Sequence, residues 1–220
     1  MRRLVVAAFV SLDGVMQAPG RPDEDPDGGF RYGGWQVPHV DAHLERRLAE
    51  QFSRIGAVLL GRRTYELFAA TWPAVGDDNP VAAALNRLPK YLASRTVTVP
   101  AWQHTTLLDG DAASAVAELK RTEGGEIHVL GSAELVQTLL RHGLVDEYQL
   151  STFPVVLGRG KRLFGPGTAP TGLRLVSAET TPAGVVMHTY RPTGAPPTGA
   201  FVRDGARIAR RAGEAATPGA

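Results

Sequence analysis

The chain has 220 residues, 43% of them apolar and 21% charged, with no cysteine. That size and apolar content suit one domain with a substantial core, with or without a tail, and exclude disorder throughout. The missing cysteines exclude a disulfide framework, a thiolate metal site and a cysteine nucleophile.

The apolar run Leu4–Val10 falls far short of the roughly 20 residues a membrane span needs. No small-residue cleavage pattern follows it, so it reads as a buried first strand, not a signal peptide, and a cytoplasmic protein with no membrane contact is expected. Net charge is +2, and removing the four arginines and two acids of 194–220 from the totals of 24 and 22 leaves 20 of each sign. The body is therefore neutral, and nucleic-acid binding has no global electrostatic support.

In chain order, Arg3–Val10 is a near-continuous Val/Ala/Phe strand, buried on both faces. Residues 17–38, rich in Gly, Pro and acids, read as a long functional or mobile loop. Leu44, Leu48, Ala49 and Phe52 fall at helical spacing within 43–52. Residues 56–60 form a second buried strand, followed by a helix near 63–70. Segments 91–93 and 96–99 are extended, 112–121 is helical and 126–130 is another strand. Residues 133–141 form an amphipathic helix stopped by Gly143, and 147–156 is strand-like, broken by Pro154. Residues 173–178 and 185–190 pair around a turn at 181–184. Seven or eight strands with helices among the first five predict an α/β domain over 1–193, its sheet mostly parallel with an antiparallel C-terminal edge. The tail 194–220, rich in Ala, Gly, Pro and Arg, is expected to be a mobile extension or to carry a short helix around 203–212.

Several motifs fail on inspection. Asp23, Asp25, Asp27 and Gly28 begin like a calcium loop, but the twelfth position is Gly34, where a glutamate is required. His39 and His43 have i, i+4 spacing without a third ligand, and no metal site is assigned. Around Gly158 and Gly160, both the dinucleotide and the P-loop patterns break. Gly131-Ser132-Ala133 lacks the second glycine of a nucleophile elbow. His128 and His188 each alternate within a strand and read as structural.

What survives is a repeated signature at strand ends. Gly61, Arg62, Arg63 and Thr64 open one helix, Gly131, Ser132, Ala133 and Glu134 open another, and Ser94, Arg95 and Thr96 end a strand between them. Helix N-termini offer unpaired N–H groups and a positive dipole end, and arginine adds a forked cation, so each suits a phosphate. In a parallel sheet these ends share one edge, where ligands bind. Two helix starts and the arginines exceed what one phosphate requires and suit a dinucleotide with an extra 2′-phosphate, NADPH.

These segments bring out a resemblance. Ser11-Leu12-Asp13-Gly14, LLGRRTYE (59–66), KYLASRT (90–96), IHVLGSAEL (127–135) and GLVDEYQLSTFPVVLGRGKRLF (143–164) run in the order of the dihydrofolate reductase-like superfamily. The chain is similar over about 3–191 to the C-terminal reductase domain of the bifunctional riboflavin-biosynthesis deaminase–reductase, as a stand-alone member. The resemblance implies a three-layer fold with a mixed, mostly parallel eight-stranded sheet, NADPH as hydride donor and a pyrimidine- or pteridine-like substrate. The family label is 5-amino-6-(5-phosphoribosylamino)uracil reductase. Dihydrofolate reductase activity and a non-catalytic nucleotide-binding module are the alternatives. By position, Arg62, Arg63 and Thr64 would serve the 2′-phosphate and pyrophosphate, and Ser94 and Arg95, with Thr96 beside them, the 2′-phosphate and adenine. Gly131, Ser132 and Ala133, with Glu134 in the same helix turn, would receive the pyrophosphate. Ala8 would face the nicotinamide through its backbone. Asp13 would contact substrate and act in catalysis, or simply form a turn, with Asp41 and Glu45 as further reachable carboxyls. Trp35 would stack on a planar substrate or pin its loop to the core. The family also implies a homodimer.

Overall fold

The structure, a computed structural model, describes residues 1–76, 78–204 and 207–212. Its centre is β1 (Leu4–Ser11), a run without a polar side chain before Ser11. Such a strand is stable only when both faces are covered. It pairs in parallel with β5 (Glu126–Leu130) on one side and β6 (Glu147–Phe153) on the other.

Between β1 and β5 the chain forms α1 (Ala42–Phe52), β2 (Ile55–Gly61), α2 (Arg62–Thr71), α3 (Pro80–Arg87), β3 (Lys90–Ala93), β4 (Thr105–Leu107) and α4 (Ala112–Arg121). Then α5 (Ala133–Arg141) leads to β6, followed by β7 (Gly172–Thr180) and β8 (Val186–Gly194). The sheet order is β4-β3-β2-β5-β1-β6-β8-β7, parallel as far as β6 and antiparallel at β8 and β7. This is the three-layer, mostly parallel sheet with antiparallel C-terminal strands that the sequence predicts.

Strand alternation sorts the core into layers. Leu4, Val6, Ala8 and Val10 face α4 and α5 through Val116, Val136 and Leu139. On the opposite face Val58 and Leu60 meet Tyr65 of α2 and Leu85 of α3. There too Phe153 packs with Leu44 of α1 and with Phe30 and Trp35 of the long loop. Where β2 shifts register against β5, between Ile55 and Ala57, backbones crowd: a Cβ on Gly56 would lie 2.6 Å from Gly125 Cα.

Three expectations are corrected. Residues 80–87 form α3, unanticipated, although Asn79 caps it and Pro80 occupies its first turn, a strong helix-start combination. Thr96–Val99 is not a strand, because Ser94 Oγ accepts the N–H groups of Thr96 and Val97 and turns the chain, and β4 forms later. In place of the short helix considered for 203–212, β9 (Gly199–Asp204) and β10 (Arg207–Ala212) pair as an antiparallel hairpin. The mobility expected of the tail 194–220 is not tested by this pairing, and residues 205–206 and 213–220 lie outside the described residues.

Lys90 on β3 is 1% exposed. Its ammonium donates to the carbonyls of Asn86 and Leu88, at 3.3 and 2.8 Å, and lies 4.4 Å from the centre of the Trp102 ring. Burial lowers its pKa to about 8. The folded state then binds fewer protons than the unfolded chain between about pH 8 and 10.5. The stability of wild type relative to Lys90→Met should accordingly rise with pH across that window, as read by urea unfolding at several pH values.

Candidate active site

The carboxyl ends of β1, β2, β3 and β5 open into one cleft of about 1490 Å³. Single small-molecule sites typically occupy about 300–1,000 Å³, so this one has room for a large ligand and a second beside it. Ala8, Gly61, Arg62, Arg63, Thr64, Ser94, Arg95, Thr96, Gly131, Ser132, Ala133 and Glu134 all line it.

The helices divide into two kinds. Asp41 accepts the Leu44 N–H at α1, Asn79 those of Val81 and Ala82 at α3, and Asp111 that of Ser114 at α4. The starts of α2 and α5 have no side-chain cap, whereas those of α3 and α4, which also border the cleft through Asn79, Val81, Asp111 and Ala112, do. The first-turn N–H groups of α2 and α5 have no intrahelical acceptor and lie on the cleft wall.

The two uncapped starts are laced together. Thr64 Oγ1 accepts the Ser132 N–H at 3.0 Å, and Ser132 Oγ accepts the Gly61 N–H at 2.9 Å while donating to Leu130 O. The lacing requires left-handed backbone at Gly131 and Ser132, with φ of 53° and 57°. A Cβ at Gly131 would sit 3.0 Å from Thr64 Oγ1, so only glycine fits without displacement. The Ser132 and Thr64 hydroxyls, expected from sequence to meet a phosphate, are engaged in positioning the two helix starts.

The arginines differ. Arg62 pairs with Glu66, one helical turn on, at 2.9 Å, and Arg63 pairs with Asp27 of the long loop. Arg95 is exposed and makes no ion pair among the described residues. Asp27 also receives Lys161 at 3.0 Å, and Lys161 reaches Asp25 at 2.5 Å. Lys161 first and Arg63 second hold Asp27 below the ordinary carboxylate range. The acids considered as the start of a calcium loop are thus partly engaged with cations. His43 pairs with Glu179, and His39 lies edge-on to Phe153.

Asp13 and Trp35 are not among the residues lining the cleft. Asp13 Oδ1 accepts Ser11 Oγ and the Leu157 N–H, and Oδ2 accepts the Gly158 N–H and Arg162 Nη2, between 2.7 and 3.2 Å. Burial opposes its ionisation, but the Leu157, Ser11 and Gly158 donors together outweigh it and hold the carboxyl at about 2. The Trp35 indole donates to Gln17 O at 2.7 Å, and the ring packs edge-on to Phe153, so it pins the long loop to the core. Asp41 caps α1 and also accepts the Ala183 N–H, and neither it nor Glu45 lines the cleft. His128 is buried beside Glu126, and His188, half-buried, lies beside Thr152. Burial lowers both imidazoles.

The sequence reading missed the other half of the wall: Met16–Gly20, Glu24, Leu48, Gln51, Phe52, Trp72, Gln149, Ser151 and Lys161. Spacing could have placed Leu48, Gln51 and Phe52 on one face of α1, and Gln149 and Ser151 on one face of β6. Nothing in the sequence alone marks that face as a cleft. Burial raises the Glu24 pKa, against the pull of the Gly20 and Arg21 N–H groups.

The fold is that of the reductase domains built on a mixed, mostly parallel α/β sheet. A family model for the RibD C-terminal domain matches residues 2–187, and the chain belongs to that family. It is 30% identical over 200 residues to the uncharacterized Bacillus subtilis protein YyaP, covering 88% of this chain and 96% of that one. Among solved structures it is similar to the diaminohydroxyphosphoribosylaminopyrimidine deaminase/5-amino-6-(5-phosphoribosylamino)uracil reductase of Thermotoga maritima. That match has a TM-score of 0.55 and 14% identity, over 87% of this chain and 56% of the other. Dihydrofolate reductase from Enterococcus faecalis, complexed with NADP(H), matches with a TM-score of 0.54 and 11% identity, over 87% and 96%. No helix among the described residues is long and apolar enough to cross a membrane.

The Asp13 clamp gives a test. Asp13→Asn should speed hydrogen exchange at the Leu157 and Gly158 amides while leaving nucleotide affinity unchanged. Because the folded pKa lies below the unfolded value near 3.9, the wild-type clamp contributes fully above pH 4. Its contribution should fade, with loss of protection at those amides, as pH falls toward about 2.

Proposed function

We propose that this protein is an NADPH-dependent reductase of a pyrimidine- or pteridine-like heterocycle, working in the cytoplasm. The observation that carries the reading is the pair of laced, uncapped helix starts, α2 and α5, which share one cleft with Arg62 and Arg95 while α1, α3 and α4 are capped by Asp or Asn. Unpaired N–H groups at two positive dipole ends fit a pyrophosphate, and Arg95, without an ion-pair partner among the described residues, fits a third phosphate. NADP(H) in the structurally similar Enterococcus dihydrofolate reductase supports the same cofactor here.

Bound NADPH would supply the hydride. The chain's own part is to hold the nucleotide by backbone N–H groups and arginine, to present β1 backbone near Ala8 to the reacting ring, and to exclude water with the long loop. For the proton, Glu24 is the cleft carboxyl whose burial favours the protonated form. The uracil reductase named for the Thermotoga protein is the reaction we favour. The folate alternative has less support: the resemblance to dihydrofolate reductases implies an acid on the first helix at the pterin, and the α1 side chains lining the cleft are Leu48, Gln51 and Phe52.

Titration with NADPH and NADH, followed by quenching of Trp72 on the cleft wall, tests the reading. NADPH should bind more tightly, and Arg95→Ala should weaken it about tenfold or more, the size of a hydrogen bond to a charged group, with little effect on NADH. If neither nucleotide binds, the reductase reading fails. If NADPH binds but no uracil or pterin accelerates its oxidation, the nucleotide-binding module takes its place.

We further propose a homodimer formed through β7, an edge strand whose Leu175 and Val176 are 50% and 43% exposed, as unpaired edges invite. A single 23.5 kDa species at micromolar concentration in sedimentation would reject it.

A further inference from the structure

Three side chains, two of them on the cleft wall, form a hydrogen-bond chain with a fixed direction. Glu147 on β6 has a side chain only 5% exposed, with Arg191 Nε 2.9 Å and Arg3 Nη1 3.3 Å from its Oε2. A carboxylate held between two guanidinium groups can only accept. Gln149 lies 2.8 Å from Glu147 Oε1 and must therefore turn its Nε2 toward it. That leaves Gln149 Oε1 facing Gln51 of α1, 2.7 Å away, and an acceptor there requires Gln51 to present its own Nε2. Gln51 Oε1 is then the atom left over, and it has no partner among the described residues. Gln51 and Gln149 both line the cleft, with Leu48 and Phe52 beside them. Two paired amides alone would read equally well reversed, as donor or as acceptor, and Glu147 breaks that symmetry.

We propose that Gln51 Oε1 is an oriented acceptor for a ring N–H of the substrate, with Gln149 and Glu147 as its positioning residues. The cleft thereby selects heterocycles carrying a lactam or amidine N–H over their N-alkylated analogues. The inference rests on the reductase reading for the nature of the substrate and extends it to the edge that is recognised. Discrimination follows because an analogue lacking the donor leaves Oε1 desolvated and unpaired against apolar neighbours.

The probes are 5,6-diaminouracil and 5,6-diamino-1,3-dimethyluracil, titrated by calorimetry into the protein with and without saturating NADPH. Wild type should favour the N–H probe by about tenfold, the size of a well-formed neutral hydrogen bond. In Gln51→Leu the ratio should fall to about twofold or less, since the acceptor is gone. Gln149→Met, which leaves Gln51 in place but free to turn, should lower the same ratio, while thermal midpoint and NADPH affinity stay near wild type. A purely packing role for Gln149 would weaken both probes alike and leave the ratio unchanged, which would overturn its positioning role. Equal binding of the probes by wild type, a ratio retained in Gln51→Leu, or no binding of either probe at millimolar concentration would overturn the proposal while the NADPH result stands. Failure of NADPH to bind would count against the reductase reading alone, and the ratio measured without nucleotide would still decide the role of Gln51.

Discussion

The architecture of the cleft depends on one reciprocal contact, between the α2 start at Gly61–Thr64 and the α5 start at Ser132. β2 and β5 are neighbours in the sheet, so the turns leaving them emerge side by side, and each turn opens a helix. Left uncoordinated, two uncapped helix starts would present their N–H groups in whatever directions their loops allowed. The Thr64 hydroxyl on the Ser132 amide, and the Ser132 hydroxyl on the Gly61 amide, fix one start against the other. The arrangement stores a conformational cost in two consecutive left-handed residues, one of them a serine. Strain of that kind persists only where surrounding bonds over-determine it, and here three hydrogen bonds do so.

A second constraint comes from charge. The long loop meets the α2 side of the cleft through Asp27, which bridges Arg63 on α2 and Lys161 on the segment after β6. Exposed pairs of this kind are weak and screened by salt. The same pairing means that Arg63 already has an anion at hand, whereas Arg95 has none among the described residues. The two arginines, equivalent in sequence, are therefore unequal as phosphate ligands. Arg95 is the one that can meet a phosphate without first surrendering a partner.

The legible parts of the fold were those dictated by burial and by helix boundaries. A run such as Leu4–Val10 has few options other than a covered central strand, and Gly-Arg or Gly-Ser at a strand end announces a helix start with free amides. The strand ends on β2, β3 and β5 converge because parallel topology leaves them no other edge, and so twelve residues named from sequence share one wall. What was not legible depended on distant pairing. Asp13 followed by Gly14 reads as a turn or as a catalytic acid, and only the arrival of Leu157, Gly158 and Arg162 shows where its oxygens go. Trp35 is similar, since an aromatic in a loop can stack on a ligand or anchor the loop until its indole N–H is seen on Gln17 O. Short, edge-dependent elements were also hidden: β4 has three residues and no pattern of its own, and the Ser94 turn imitates an extended segment.

The two halves of the cleft consequently carry different kinds of information. The half proposed for the nucleotide is made largely of backbone amides at strand ends, whose positions follow from the sheet itself. The other half is made of side chains from the long loop, α1 and β6, which can be exchanged without altering a strand or a cap. Gln51 illustrates the difference. Its place on α1 follows from helical spacing, but the sense of its amide is set by Gln149 and, behind that, by a buried carboxylate clasped between Arg3 and Arg191. Recognition in that half is thus a property of a polar chain extending into the core. A substitution at Glu147, which does not touch the cleft, would change what the cleft can read without changing the fold that defines the family.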